Sequence, residues 1–80
     1  MKKYRVAAFH RERDTGKAYG RAFWTRDFHA GTTQAELSGY YHGLADGLRA
    51  APTADCCYMI LVTDLQTGTL LDQLPLGVLL

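Results

Sequence analysis

The sequence predicts an α+β fold: a single small domain over residues 1–80, in the order strand, strand, helix, strand, strand, with one helix packed on a mainly antiparallel sheet. Three observations lead to this fold class. Apolar segments of strand-like composition lie at both ends, turn-forming residues divide them in pairs, and one capped helical segment stands between the pairs. The 80 residues have the length of one domain, and a hydrophobic content of 48% excludes a disordered chain.

The first two strands are predicted at Tyr4 to Glu12 and at Ala18 to His29, because both segments are rich in aromatic and small apolar residues. Asp14 and Gly16 between them favour a hairpin turn, in which the glycine takes positive φ. Strand alternation divides the side chains of this hairpin between two faces. The face predicted to point toward the core carries Tyr4, Val6, Ala8, Ala22, Trp24 and Phe28. The face predicted to point outward carries Arg5, Ala7, Phe9, Arg11, Tyr19, Arg21 and Phe23.

A helix is predicted from about Gln34 to Ala50. Thr33 and Glu36 fit a capping box at its start, and Pro52 ends it. The residues of its predicted core face fall within an arc of about 100° on a helical projection. They are Leu37, Tyr40, Tyr41, Leu44, Leu48 and Ala51.

A second face of this helix consists of glycines at every fourth position, Gly39, Gly43 and Gly47, which we name the glycine flank. Each glycine costs a helix about 1 kcal/mol relative to alanine, and a chain of this length has a total stability of only about 4–12 kcal/mol. We therefore expect another backbone to approach the flank closely. That backbone belongs either to the chain's own sheet or to a second copy of the chain in a homodimer.

The third strand is predicted from Asp55 to Thr63, where an apolar run without alternation indicates a strand that is central in the sheet. Asp64 to Thr69 repeats the turn chemistry of the first hairpin, and Leu70 to Leu74 can return as a fourth strand. Whether residues 66–80 form a strand or a helix stays open. The apolar tail after Leu74 either packs on the core or contacts another subunit.

Charge is distributed unevenly along the chain. Residues 1–30 carry eight basic and three acidic side chains, whereas residues 31–80 carry one basic and five acidic side chains. This polarity can steer a charged partner toward the N-terminal hairpin. No apolar run is long enough to span a membrane, so we expect a cytoplasmic protein without a membrane partner.

The sequence favours neither a metal nor a cofactor. The three histidines lack metal-ligand spacing, and no phosphate loop or nucleophile motif is present. Cys56 and Cys57 are adjacent, which strains a bridge between them, so we expect buried reduced thiols.

The helix region resembles the ribonuclease H superfamily over about residues 18–66. The residues that carry the resemblance are Tyr19-Gly20, Trp24-Thr25, Ala35-Glu36, Gly39, Gly43 and Leu44, followed by Val62-Thr63-Asp64-Leu65-Gln66. The resemblance implies, as an alternative fold, a truncated ribonuclease H-like α/β arrangement. It also implies that Glu36 and Asp64 match two metal-binding carboxylates of a Mg²⁺-dependent nuclease.

Catalysis in that superfamily needs further carboxylates to hold two Mg²⁺ ions. When the first strands are aligned, Ala7 stands near the essential aspartate, and the helices with the last carboxylate would follow residue 80. The chain is also similar to HicB-type antitoxins, which use a reduced ribonuclease H-like domain to bind a protein partner. The sequence therefore favours binding over catalysis.

The leading hypothesis is a non-catalytic protein that binds another macromolecule, with a protein as the favoured partner. It would be a small interaction or inhibitor module of the antitoxin or phage anti-defence kind. The predicted interface residues are Arg5, Phe9, Arg11, Tyr19, Arg21, Phe23, Gly39, Gly43 and Gly47. The first alternative is a nucleic-acid-binding module that uses Arg5, Arg11, Arg21 and Arg26. The second is a degenerate ribonuclease H-type nuclease that uses Glu36 and Asp64.

Overall fold

The computed structural model describes residues 2–12, 15, 17–49 and 57–76 of the chain. Its elements are β1 (Lys2–Arg11), β2 (Ala18–His29), α1 (Gln34–Arg49), β3 (Tyr58–Asp64) and β4 (Leu70–Leu76). This order confirms the predicted α+β fold. The predicted bounds of β2 match those of the structure, and residues 70–76, which the sequence left open between strand and helix, form a strand.

The four strands form one sheet in the order β2-β1-β3-β4. β1 pairs antiparallel with both β2 and β3, and β3 pairs antiparallel with β4. The predicted central position of the third strand is confirmed, with β1 as the other central strand. The alternative α/β arrangement would need a parallel pair, and the described strands include none.

The core lies between α1 and one side of the sheet, which we name the helix side. Val6, Ile60 and Val62 of the two central strands are fully buried there. From α1, Leu37, Tyr41 and Ala45 reach the same core at intervals of one turn. Partly buried residues around them are Tyr4, Phe28, Tyr40, Leu44, Leu48, Tyr58 and Leu74. The predicted core face omitted Ala45, which is buried because it follows Tyr41 by one turn on the same face.

The start of α1 is fixed by Thr33. Its hydroxyl oxygen accepts the Glu36 backbone N–H at 3.1 Å, and its carbonyl accepts the Leu37 N–H at 3.0 Å. The Glu36 carboxylate in turn accepts a hydrogen bond from the Thr33 hydroxyl at 3.0 Å. The predicted Thr33–Glu36 cap is confirmed, with the carboxylate bound to the hydroxyl where the capping box would have it bound to a backbone N–H.

β2 carries an irregularity that we name the β2 bulge. Four residues, 20–23, stand opposite Phe9 alone, between the pairs Ala8–Trp24 and His10–Tyr19. Gly20 in the bulge has a φ of 70°, a conformation that favours glycine. Three extra residues are an odd number, so the bulge inverts strand alternation and moves Tyr19 to the helix side.

β4 carries a smaller irregularity, the β4 bulge. Leu71 is one extra residue between the pairs Val62–Asp72 and Thr63–Leu70. It places Leu70 on the side of the sheet that carries Thr63, while Asp72 stays on the helix side with Val62. The turn before β4 contains Gly68 with a φ of 72°, as its similarity to the first turn indicated.

Two predicted apolar features, the cysteines and the C-terminal tail, lie partly within the described residues. Cys57 is buried, as predicted, and Leu76 of the apolar tail is buried in the core. Cys56, residues 77–80 and the first-turn residues Asp14 and Gly16 lie outside the described residues. In the described part of the chain, no helix has the length and apolar character needed to cross a membrane.

Candidate functional site

The predicted outward face of arginines and aromatics does not form a single surface. Arg5, Phe9 and Arg11 lie on the side of the sheet opposite the helix, as strand alternation predicted. Tyr19 and Phe23 were predicted to join them, and that prediction is wrong. The β2 bulge brings both rings to the helix side, so the six residues are divided between two faces.

Two of the predicted arginines are bound within the chain. The Arg5 guanidinium donates two hydrogen bonds to the Asp27 carboxylate, at 2.7 and 3.0 Å. Lys2 Nζ lies 3.5 Å from the same carboxylate. The hydrogen bonds from Arg5 hold the pKa of Asp27 below its ordinary value of 3.8. Arg5 is therefore engaged in a bidentate ion pair.

Arg11 is buried at the end of β1. Its guanidinium donates to the backbone carbonyl of Leu76 at 2.8 Å, and its backbone N–H donates to the carbonyl of Cys57 at 2.9 Å. Its Nε has no hydrogen-bond partner among the residues that the structure describes. Arg11 thus ties β1 to β4 across β3, and its charge is not presented to a partner.

The helix side carries four rings in contact with one another and a fifth, that of Trp24, next to Phe23 in β2; we name the five the aromatic surface. Its members are His10, Tyr19, Phe23, Trp24 and Tyr58. The His10 ring centroid lies 4.9 Å from Phe23, 5.8 Å from Tyr58 and 6.2 Å from Tyr19. Phe23 and Tyr58 are 5.6 Å apart. Tyr19, Phe23 and Trp24 remain 51%, 45% and 49% exposed, because α1 packs mainly over β3 and β4 and leaves this end of the face open.

Contacts with Tyr40 fix the border between the aromatic surface and the helix. The Trp24 indole N–H donates to the Tyr40 hydroxyl at 2.8 Å. The Arg26 guanidinium lies over the rings of Phe28 and Tyr40, at 5.0 and 4.8 Å from their centroids. The hydrogen bond holds the Trp24 side chain in place and satisfies its only polar atom. The cation–π contacts of Arg26 in turn hold Tyr40, which accepts that hydrogen bond.

The glycine flank is open, and Gly47 is its residue nearest on the helical projection to Tyr40, which borders the aromatic surface. Gly47 follows Tyr40 by seven residues, or about two turns, so both lie on the side of α1 that faces β2. A methyl group built on Gly39, Gly43 or Gly47 would meet no heavy atom within 4 Å beyond the helix's own backbone. The expected close approach is therefore not made by the chain's own sheet among the described residues.

A cleft opens on the other flank of α1, between the helix and β4, and we name it the α1–β4 cleft. The Tyr41 hydroxyl donates to the Asp72 carboxylate at 2.8 Å inside it. Burial, and then this hydrogen bond, raise the pKa of the Tyr41 phenol above its usual 10.0. None of the predicted interface residues is among the described residues that line this cleft.

The two carboxylates that match the ribonuclease H superfamily have local structural roles. Glu36 caps α1 through Thr33. Asp64 accepts the backbone N–H groups of Gln66 and Thr67, at 2.9 and 3.3 Å, in the turn between β3 and β4. Within the described ranges, no three His, Cys, Asp or Glu side chains converge as metal ligands.

Comparison with known protein families, curated proteins and solved structures finds no match for this chain. The ribonuclease H-like resemblance therefore remains a resemblance of motifs. The geometry of the chain's own residues carries the functional conclusion.

Sequence reasoning missed the residues that shape both surfaces. Trp24 was expected in the core and lies on the predicted side of the sheet, but it is 49% exposed because α1 does not cover it. Tyr19 was expected on the far face, and the bulge brings it to the helix side. The one signal of this bulge in the sequence is the glycine at position 20, which adopts positive φ in the structure. Asp72 was not predicted as a site residue, because a single carboxylate in a strand forms no sequence motif.

Proposed function

We propose that the protein is a non-catalytic module that binds another protein through the aromatic surface and the adjoining glycine flank. The observation that carries this proposal is the position of Tyr19, Phe23 and Trp24, three half-exposed rings on one face. Large exposed apolar groups in one patch are typical of interaction sites, and aromatic residues are the usual anchors of protein interfaces. We assign it to the inhibitor class that includes antitoxins, acting in the cytoplasm.

The exposed rings supply a large part of the binding free energy that an interface needs. An aromatic side chain buries about 150–250 Å², so covering the exposed half of one ring removes about 100 Å² from water. At about 25 cal/mol per Å², this is about 2.5 kcal/mol for each ring and about 7.5 kcal/mol for three. Association itself costs about 4–15 kcal/mol. The partner must therefore contact further surface, and the glycine flank lies beside the rings without side chains to obstruct it.

A protein partner is favoured over a nucleic acid because two of the four arginines predicted to bind phosphates are engaged within the chain. Arg5 is paired with Asp27, and Arg11 is buried. Arg21 and Arg26 remain exposed on β2, and Arg26 is already stacked on two rings. Two exposed arginines neutralise few phosphates, and nucleic-acid affinity depends on the number neutralised.

Affinity capture from a lysate of the source organism tests the proposal. We expect a protein that is retained after nuclease treatment and lost when the bait carries Phe23→Ser. Leu70→Ser is the matched control, because Leu70 is 49% exposed but lies on β4, away from the aromatic surface. Equal capture by both variants would refute the proposed surface. Loss of the captured material on nuclease treatment would instead support nucleic acid as the ligand.

Homodimerisation through the glycine flank is a second form of the same proposal. It is favoured by the open space that faces Gly39, Gly43 and Gly47. A leucine side chain would prevent two such helices from approaching closely, so Gly43→Leu should halve the molar mass measured by light scattering. A monomeric wild-type chain would leave the flank to a different protein.

A further inference from the structure

The α1–β4 cleft has a volume of about 190 Å³. Leu37, Val62 and Leu71 form its apolar walls, and Gln34, Ser38 and Tyr41 line it beside the Asp72 carboxylate. Pockets for drug-sized ligands have volumes of about 300–1,000 Å³. The α1–β4 cleft is therefore of the size that suits a single side chain or a small organic ion.

Among the described residues that line this cleft, Asp72 is the one charged group. No Lys, Arg or His nitrogen of the described residues lies within 4.0 Å of its carboxylate. One oxygen accepts the Tyr41 hydroxyl and the other accepts the Gln73 backbone N–H, both at 2.8 Å. A carboxylate can accept about four hydrogen bonds, so about two acceptor positions remain for a ligand.

The β4 bulge builds the cleft. The extra residue, Leu71, brings its own side chain to the cleft while Asp72 remains on the helix side, paired with Val62. Leu71 is 47% exposed, which is a large apolar surface beside a half-buried anion. Bulges that direct side chains in this way are common next to binding sites.

We propose that the α1–β4 cleft binds a primary alkylammonium group, either the side chain of a lysine or a free aliphatic amine. The ammonium would donate to Asp72 and to the Ser38 hydroxyl or the Gln34 amide oxygen, which together match its three N–H donors. Its methylene stem would lie on Leu71 and Leu37. The negative balance of residues 31–80 favours a cation at this end of the molecule.

Two features favour an alkylammonium ion over other cations. Metal ions such as Ca²⁺ take about six to eight oxygen ligands, whereas this cleft offers one carboxylate between apolar walls. A guanidinium presents five N–H donors in a fixed fork, which is more than the acceptor positions left on Asp72 and one neighbouring side chain. Each N–H group of an ammonium ion needs only one acceptor atom.

Titration of the full chain with n-butylammonium chloride, followed by NMR of the methyl groups, tests this assignment. We expect saturable shifts of Leu37, Val62 and Leu71 in the wild-type chain and at least tenfold weaker binding in Asp72→Asn. Leu70→Ser is the control for an exposed β4 leucine outside the cleft, and it should bind as the wild type does.

n-Butanol provides the comparison that needs no variant, since it has the same stem without the charge. Equal saturation by n-butanol, equal binding by a folded Asp72→Asn variant, or no saturable shift would each overturn the proposal. A capped lysine amide distinguishes the two sources of the group. Tighter binding of the capped lysine than of n-butylammonium assigns the site to a protein's side chain, and weaker binding assigns it to a free amine.

Discussion

The two hairpins of this protein use the same device with different results. Each places an edge strand beside a central strand, and each edge strand carries a bulge that changes which side chains face α1. The β2 bulge moves aromatic rings to the helix side, at a place that α1 does not cover. The β4 bulge lies where α1 is close, so Leu71 and Asp72 border a cleft. The position of the helix, off the centre of the sheet, decides whether a bulge produces an open surface or an enclosed one.

The difference also separates side chains that stabilise the fold from side chains that remain available for contact. At the β4 end, Leu76 is 2% exposed and Arg11 donates to its carbonyl. At the β2 end, Phe23 is 45% exposed and contacts mainly other rings of the aromatic surface. Stability and binding should therefore respond to different residues.

The largest expected effect is the loss of stability in Leu76→Ala, by about 2–5 kcal/mol, because it leaves a cavity in the core. Phe23→Ala should cost about 1 kcal/mol, since half of its ring is already in water. Urea unfolding of both variants measures the contrast. Equal losses would show that the aromatic surface is part of the core, and the comparison of the two hairpins would fail.

The turn and bulge glycines should give intermediate effects. Gly20 and Gly68 have φ values of 70° and 72°, and a Cβ at either position meets no atom of the described residues within 4 Å. Alanine there is opposed by backbone strain alone, so each variant should lose about 1–2 kcal/mol in chemical unfolding. No loss in Gly20→Ala would contradict the backbone described for the β2 bulge.

A smaller change of opposite sign is expected in the helix. Gly43→Ala should raise the free energy of unfolding by about 1 kcal/mol, because alanine favours the helix and its methyl group has room. The measurement is chemical unfolding at two protein concentrations. A loss of stability that depends on concentration would instead show that a second chain covers the flank.

The smallest effect concerns the pair of Arg5 and Asp27, which is partly exposed. Because the pKa of Asp27 is lowered in the folded state, its contribution is present above the ordinary value of 3.8 and is lost as the pH falls below it. Asp27→Asn should therefore lose less stability than the wild type between neutral pH and pH 3. Identical thermal unfolding profiles over this range would contradict the role given to the pair.

Much of the fold could be predicted because its signals are local. Thr33 and Glu36 mark the start of α1, and Gly68 marks the last turn. The alternation of Tyr4, Val6 and Ala8 marks the helix side of β1. These patterns depend on backbone conformation and on one layer of packing, so they can be read from neighbouring residues.

The candidate sites could not be predicted in the same way. The face of Tyr19 depends on the number of residues in the β2 bulge, which strand alternation alone does not reveal. The burial of Arg11 depends on the carbonyl of Leu76, sixty-five residues away in sequence. The openness of the aromatic surface depends on where α1 lies across the sheet. Each of these is set by contacts between distant parts of the chain.

Site-specific photo-crosslinking in cells of the source organism tests the central claim most directly. A photoreactive phenylalanine analogue would replace Phe23 on the aromatic surface or, as the control, Leu70 on β4. We predict a covalent adduct with a protein from position 23, unchanged by nuclease treatment, and no such adduct from position 70. Adducts from position 70 alone, or from both positions equally, would contradict the claim that the aromatic surface binds the partner.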